Sequence, residues 1–359
     1  VGNIQLLYKT LQKNKFDTNF GICNLSIGKG NPLWGVLHFV FNLDRSGSMG
    51  SLGADGKTAW ENIVHTMRCI LDYCNQSKVQ VFISIILFDH EIVELYTSKL
   101  LTEENVKSLS DTLGDSKKFY PRGSTDIAKA MKTAQVVAVH DFDDWCAGKP
   151  YETFHLFMTD GQPTIGPTTL AGISPHMPTN IENHLIGFGA KHNETLLTGL
   201  VKNSKKGGEY YFIDDFEKAG MVYGTILDSI FHRFAKDIVI ASENCEMYNY
   251  IDNTWTNTLY LSSMALEEEK TVHLRFLWDN VGEKKITVTY QTIEDSQTRT
   301  VWKYNKEYSN QENSDEKHNL DVYKYLMRQE VLEVLYAVKE KSLNSDKLRK
   351  NITSLGEHM

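Results

Sequence analysis

Over the first two-thirds of the chain, short apolar runs alternate with stretches whose apolar residues recur every three or four positions. Val36 to Leu43 is almost wholly apolar, with β-branched and aromatic members, and stops at Asp44-Arg45-Ser46-Gly47-Ser48. That pattern predicts a buried parallel strand running into a loop. Thr58 to Cys74 places Trp60, Ile63, Val64, Met67, Ile70 and Leu71 on one helical face. Val79 to Phe88 predicts a second buried strand, Ile127 to Val139 a helix, and Thr153 to Met158 a strand ending at Thr159-Asp160-Gly161. His184 to Phe188, Glu194 to Val201, Tyr210 to Ile213 and Ala219 to Phe234 repeat the strand-then-helix order. Together these predict an α/β domain over residues 33–236, a doubly wound and mostly parallel sheet with helices on both faces.

Beyond Phe234 the period changes to two. Thr271 to Trp278 alternates strictly, with Val272, Leu274, Phe276 and Trp278 on one side, and Ile286, Val288 and Tyr290 do the same. With weaker candidates at Leu259 to Met264 and Thr298 to Tyr304, residues 237–305 predict a smaller antiparallel β-sandwich or layer of four or five strands. A polar stretch, Ser309 to Lys317, leads into a terminal helix within 306–359, whose stripe includes Tyr323, Leu326, Val331 and Leu335. That stripe predicts packing on the β-domain, with a partner-binding helix as the alternative. Residues 1–32 read as a helix at Ile4 to Leu11 and a strand at Gly21 to Ile27 that pairs with the later β-layer.

The net charge of −8 disfavours a nucleic-acid partner. No apolar run is long enough to span a membrane. The five cysteines form no Cys-x-x-Cys or Cys/His array, which reads as free thiols in a reducing, intracellular (cytoplasmic) compartment. Asn-x-Ser/Thr tripeptides at Asn24, Asn75, Asn193 and Asn351, and a start at Val1 that leaves room for an upstream signal segment, keep a secreted or surface location open.

The candidate chemistry lies at strand ends. Asp44, Ser46 and Ser48 alternate where the first buried strand gives way to its loop, and Gly47 and Gly50 offer the freedom to curl it. Thr125 and Asp160 fall at equivalent loop positions. Two carboxylates and three hydroxyls without His or Cys suit a hard divalent cation. A helix-capping turn is the plainer reading of the Asp-Ser-Ser loop taken alone. Asp126 reads as a helix N-cap, and Asp89 with His90 as a solvated turn at the rim. No nucleophile elbow, Walker loop, dinucleotide fingerprint or His-Glu-x-x-His occurs, so an enzyme is not expected, with metal-assisted hydrolysis at an open metal position as the alternative.

Asp44-Arg45-Ser46-Gly47-Ser48-Met49, Gly123-Ser124-Thr125 and Asp160-Gly161, in this order, resemble the metal-ion-dependent adhesion site of the von Willebrand factor type A family. The resemblance spans about Leu33 to Phe234. It departs from the family's Gly-Gly-Thr at Ser124, which puts the flexibility of that loop in question. It implies that Ser46 and Ser48 coordinate Mg²⁺ directly, or Mn²⁺ or Ca²⁺ in its place, that Thr125 does so in the high-affinity state, and that Asp44 and Asp160 anchor it largely through waters. It further implies that a protein partner's Asp or Glu completes the site, and that movement of the helix at Ala219 to Phe234 can accompany binding. The added β-layer and terminal helix are similar to those of larger intracellular members. Two other functions stay open: an architectural subunit of an assembly with a structural or vestigial metal site, and a substrate-recruiting part of a ubiquitin-ligase or chaperone system. For the latter the chain has no RING-type Cys/His array of its own.

Overall fold

In the computed structural model two strands open the chain, β1 (Gln5–Thr10) and β2 (Phe20–Ser26), and the long apolar run forms the third, β3 (Val36–Asp44). The structure describes residues 4–10, 20–31, 34–53, 56–139, 141–189, 191–214, 219–276, 284–294, 296–305 and 316–339. The chain divides into two units, Leu33–His232 and Val1–Pro32 together with Arg233–Met359.

In the Leu33–His232 unit, β3 is followed by a 3₁₀ turn (Gly47–Gly50), α1 (Ala59–Gln76), β4 (Gln80–Phe88), β5 (Ile92–Leu100), α2 (Val106–Leu113), α3 (Ile127–Val137) and α4 (Asp143–Cys146). Then come β6 (Tyr151–Thr159), α5 (Leu170–Ile173), β7 (Glu182–Phe188), α6 (Glu194–Lys202), β8 (Gly208–Ile213) and α7 (Ala219–Phe231). The six strands lie in the order β5-β4-β3-β6-β7-β8, parallel except for β5, which runs antiparallel to β4. Every residue of β3 is buried because it lies near the middle of this sheet. The edge strand β5 had no sequence forecast. None of its residues is fully buried, so it lacks the continuous apolar run that marks its neighbours. From β3 the chain first builds β4 on one side and later returns to place β6 on the other, so the strand order reverses between β3 and β6. The crevice outside the carboxyl ends of these two strands is where open α/β sheets bind ligands.

Polar residues stitch the strands inside this sheet. Asn42 on β3 donates from Nδ2 to His155 Nε2 (3.0 Å) on β6, and His155 Nδ1 meets Asn183 Oδ1 (2.8 Å) on β7. The acceptor role of Nε2 leaves the proton on Nδ1, so the ring is neutral. Burial pushes its pKa down to about 4, against the opposing effect of the Asn183 hydrogen bond.

The second unit continues with β9 (Arg233–Glu243), β10 (Cys245–Asn249), β11 (Thr254–Thr256), β12 (Thr258–Ala265), β13 (Glu269–Phe276), β14 (Lys284–Thr292), β15 (Thr298–Asn305) and α8 (Glu316–Lys339). Two antiparallel sheets, β1-β2-β13-β10-β11 and β12-β9-β14-β15, face each other. Cys23, Leu25, Val272 and Leu274 from the first meet Ile238, Ile240, Ile286 and Val288 from the second in one core. The alternation of β13 sends Val272, Leu274 and Phe276 inward, while His273 faces α8 and its Nδ1 meets Gln329 Oε1 at 2.7 Å. Val322 of α8 packs with Phe20 and Ile22, so the terminal helix lies against the β-domain of its own unit.

Several expectations are corrected. The segment expected as a helix from Ile4 is the strand β1, paired antiparallel with β2 from Gln5↔Ser26 to Thr10↔Gly21, with Ile4 in the core; the rest of that segment, Leu11, lies outside the described residues. A tertiary partner outweighs local helical periodicity there. The helix expected to run to Phe234 ends at Phe231, because Arg233 starts β9 and Phe234 packs against Tyr290. The unit boundary therefore falls at Arg233 rather than between 236 and 237. Among the described residues four or five strands become nine in two sheets, since residues from Arg233 on form seven, β9 to β15, and β1 and β2 join from the other end of the chain. Of the polar stretch Ser309 to Lys317, residues 309–315 lie outside the described residues and the last two positions begin α8; Leu277, Trp278 and Asn351 also lie outside. The five cysteines are free, with Cys69 exposed and the rest buried. Among the described residues no helix is long and apolar enough to cross a membrane.

Candidate functional site

Asp44, the last residue of β3, is fully buried, and both its oxygens are held. Oδ1 accepts from the Ser46 amide (2.7 Å) and Oδ2 from Thr159 Oγ1 (2.5 Å), at the end of β6. The loop then turns back as the 3₁₀ turn. Ser46 stands at its N-cap, yet its side chain makes no capping bond; Ser46 Oγ instead lies 3.1 Å from Ser48 Oγ. Ser48 Oγ donates to Asp160 Oδ1 at 2.6 Å. A Cβ placed on Gly161 would lie 3.4 Å from Ser48 Oγ and 3.8 Å from Thr125 Oγ1, so those two hydroxyls face one spot above Gly161. The structure thus gathers Asp44, Ser46, Ser48, Thr125 and Asp160 at the β3/β6 crevice, from three loops.

The loop carrying Thr125 is fastened from both sides. Gly47 N donates to Gly123 O (3.1 Å), Arg122 N to Arg45 O (2.9 Å), and Thr125 N to Thr164 Oγ1 (2.8 Å). Asp126 caps α3 by accepting from Lys129 N (3.0 Å). The left-handed turn falls at Gly123 (φ +66°) rather than at Gly47 or Gly50, neither of which has positive φ. A side chain at Gly123 would also collide with the His90 ring. Gly123→Ala is therefore expected to cost about 1–3 kcal/mol. Urea denaturation checks this, and an unchanged midpoint would show that the loop does not need the left-handed conformation.

Asp89 is not a solvated turn. It is fully buried, and its Oδ2 takes Arg45 Nη2 at 2.8 Å and Arg122 Nε at 3.1 Å, while its Oδ1 accepts from Glu91 N at 2.6 Å. Arg122 also pairs with Glu91. Arg45, flanked by Asp44 and Ser46, is thereby drawn away from the crevice. Nothing local announces this arrangement, because Arg45 and Asp89 are 44 residues apart. Asp89, His90 and Glu91 have ligand atoms close enough to hold a cation, but the two guanidinium groups already neutralise both carboxylates.

The crevice carboxylates are electrostatically different. Burial raises Asp44 to about 7, opposed by its hydrogen bonds from Thr159 and Ser46 and reinforced by the charge of Asp160. Burial likewise raises Asp160, against the Ser48 hydroxyl and the more remote charge of Lys191. No Lys or Arg side chain forms an ion pair with either carboxylate among the described residues. Thr125 Oγ1 has no hydrogen-bond partner among them either. Two carboxylates without an ion-pair partner and three hydroxyls, one of them unengaged, make an all-oxygen donor set that fits Mg²⁺, Mn²⁺ or Ca²⁺ better than a soft metal.

A sequence profile of the von Willebrand factor type A domain matches residues 39–161. Among solved structures, the ArnB paralog VWA2 from Sulfolobus acidocaldarius is similar at 16% identity and a TM-score of 0.50, over 99% of this chain and 89% of that one. The von Willebrand factor type A protein from Catenulispora acidiphila is similar at 11% identity and a TM-score of 0.58, over 99% and 87%. No curated protein matches the chain by sequence. The chain carries a von Willebrand factor type A domain, and the β3/β6 crevice lies within it.

Proposed function

We propose that the Leu33–His232 unit is a divalent-cation-dependent protein-binding module. In this reading Asp44, Ser46, Ser48, Thr125 and Asp160 hold Mg²⁺, which Mn²⁺ or Ca²⁺ can replace, and a partner protein presents an Asp or Glu. The carrying observation is that Ser46, placed to cap a turn, instead turns its hydroxyl to Ser48, beside the Asp160 carboxylate. Domains of this family typically mediate protein interactions, which supports the same reading. A bound cation supplies positive charge that attracts a carboxylate. The protein's own residues position it: Thr159 and the Ser46 amide fix Asp44, Ser48 aligns Asp160, and the Arg45–Asp89 pair keeps a competing cation out of the crevice. The reading assigns no catalytic residue.

The test is Mn²⁺ titration by electron paramagnetic resonance with Mg²⁺ competition. The wild type is expected to bind saturably and release Mn²⁺ to Mg²⁺, and Asp160→Ala to bind at least tenfold more weakly. Equal Mn²⁺ binding by the two proteins would remove the metal site and leave the architectural-subunit reading in its place.

A further inference from the structure

The second unit holds a cleft of about 490 Å³ that the metal-site reading does not use. Its walls include Tyr248, Tyr250, Tyr260, His273, Tyr325 and Arg328, from β10 and its turn, β12, β13 and α8. It exists because two neighbouring strands part. β10 pairs with β13 only at Cys245↔Phe276, Glu246↔Arg275 and Met247↔Leu274, whereas β13 pairs with β2 along Glu269 to Arg275. Ile27 N donates to Glu268 O, so in the antiparallel alternation Lys270 and Val272 exchange bonds with β2. Glu269 and Thr271 then turn two N–H donors and two C=O acceptors the other way, into the cleft, where no described strand pairs with them. Across the cleft, β12 is the edge of its own sheet.

The aromatic side chains stand together: Tyr250 and His273 ring centroids are 5.4 Å apart, and those of His273 and Tyr325 5.7 Å. Tyr250, Ile251 and Tyr260 are 44%, 60% and 75% exposed, so apolar surface faces water beside the open backbone. The charges are unevenly committed. Lys270 is occupied by Glu268 and Ser263 O, Arg275 by Glu246, and Glu269 by Asn24. Arg328 is exposed and forms no ion pair with a described residue.

We infer that this cleft receives a short extended segment of a protein partner, which adds as a strand to Glu269–Thr271, places apolar side chains among the tyrosines and sets a carboxylate against Arg328. An open strand edge supplies backbone pairing to an extended peptide, alternate pockets supply selectivity, and the exposed Arg328 guanidinium selects an acidic sequence. The site is separate from the β3/β6 crevice and needs no metal.

The probe is a fluorescein-labelled pool of hexapeptides alternating Asp with Val, Phe or Tyr, followed by anisotropy on the full chain in EDTA. Saturable binding is expected, at least tenfold weaker in Thr271→Pro, where proline removes an N–H that faces away from β2, together with the hydroxyl that donates to Tyr325 Oη at 3.4 Å; Thr271→Val, which removes that hydroxyl alone, should bind within about twofold of the wild type. Arg328→Glu is expected to weaken it by a similar factor. Asp160→Ala should bind the pool as the wild type does, which separates this site from the metal reading. A second arm uses the same pool with its amides N-methylated, so that the conclusion holds even where Thr271→Pro does not fold; that pool should not bind. Absence of binding by the folded wild type, or equal binding of the methylated pool, overturns the proposal. So does wild-type dimerisation in sedimentation that Thr271→Pro abolishes, which would give the edge to a second copy of this chain.

Discussion

Replacing Asp89 with alanine is expected to destabilise the Leu33–His232 unit by roughly 3–5 kcal/mol, because it strands a buried guanidinium. Arg45 is 3% exposed and Asp89 not at all, so water cannot take over the lost partner. Arg122 suffers less, since it is partly exposed and keeps Glu91. The same substitution loosens three loop segments at once, for the Asp89 carboxylate holds Arg45, Arg122 and the Glu91 amide together. Mn²⁺ binding at the neighbouring crevice should therefore fall together with stability. Urea denaturation followed by circular dichroism reads the first effect. Converting both partners, Arg45→Met with Asp89→Leu, should recover part of the loss, because no charge is then left buried. A loss below about 1 kcal/mol for Asp89→Ala, the range of an exposed pair, would mean that water reaches Arg45.

The second large effect is acid sensitivity arising from His155. Its folded pKa of about 4 lies below the ordinary histidine value of 6.5, so the fold binds the neutral ring and the unfolded chain takes up a proton first. The stabilising contribution is fully present above pH 6.5 and is lost as pH falls from 6.5 towards 4. The window corresponds to roughly 3 kcal/mol in all. Between pH 6.5 and 5 the raised Asp44 takes up a proton in the fold and offsets this loss, so the expected result is a difference: as pH drops, wild-type stability should fall relative to that of His155→Gln. Denaturant midpoints at half-unit pH steps would decide it, and parallel slopes would show that the ring titrates normally in the folded protein.

Much of the α/β unit was legible because its signals are local. A buried parallel strand must be apolar along its length, and its helices must be apolar on one face, so the run at Val36 and the periodicity after Thr58 betray their elements without knowledge of neighbours. The crevice residues were legible for a related reason: they occupy the loops that end β3 and β6 or precede α3, and the alternation of strands and helices already brings such loops to one edge. β5 was illegible because it is half-exposed, and β1 because its six residues are too few to tell a helical period from a strand's without the pairing to β2. Asp89 looked like a turn residue because its partner, Arg45, lies on another strand's loop. His38, Asn42, His155 and Asn183 interrupt apolar runs in the sequence, and they meet in hydrogen-bonded sets across β3, β4, β6 and β7.

The sequence by itself determined most of the succession of elements in the Leu33–His232 unit and the oxygen-bearing side chains that stand at its strand ends, because both follow from burial and chain direction within a few residues. Tertiary structure alone decided that Arg45 turns to Asp89, that Ser46 faces Ser48 rather than capping its turn, and that β10 leaves β13 after Met247. Arg45 with Asp89 and β10 with β13 are partners far apart in the chain, and Ser46 and Ser48, though two residues apart, sit in a loop held by Gly123 and Asp160 from other loops; the energy comes from desolvation and pairing that exist only once the strands are side by side.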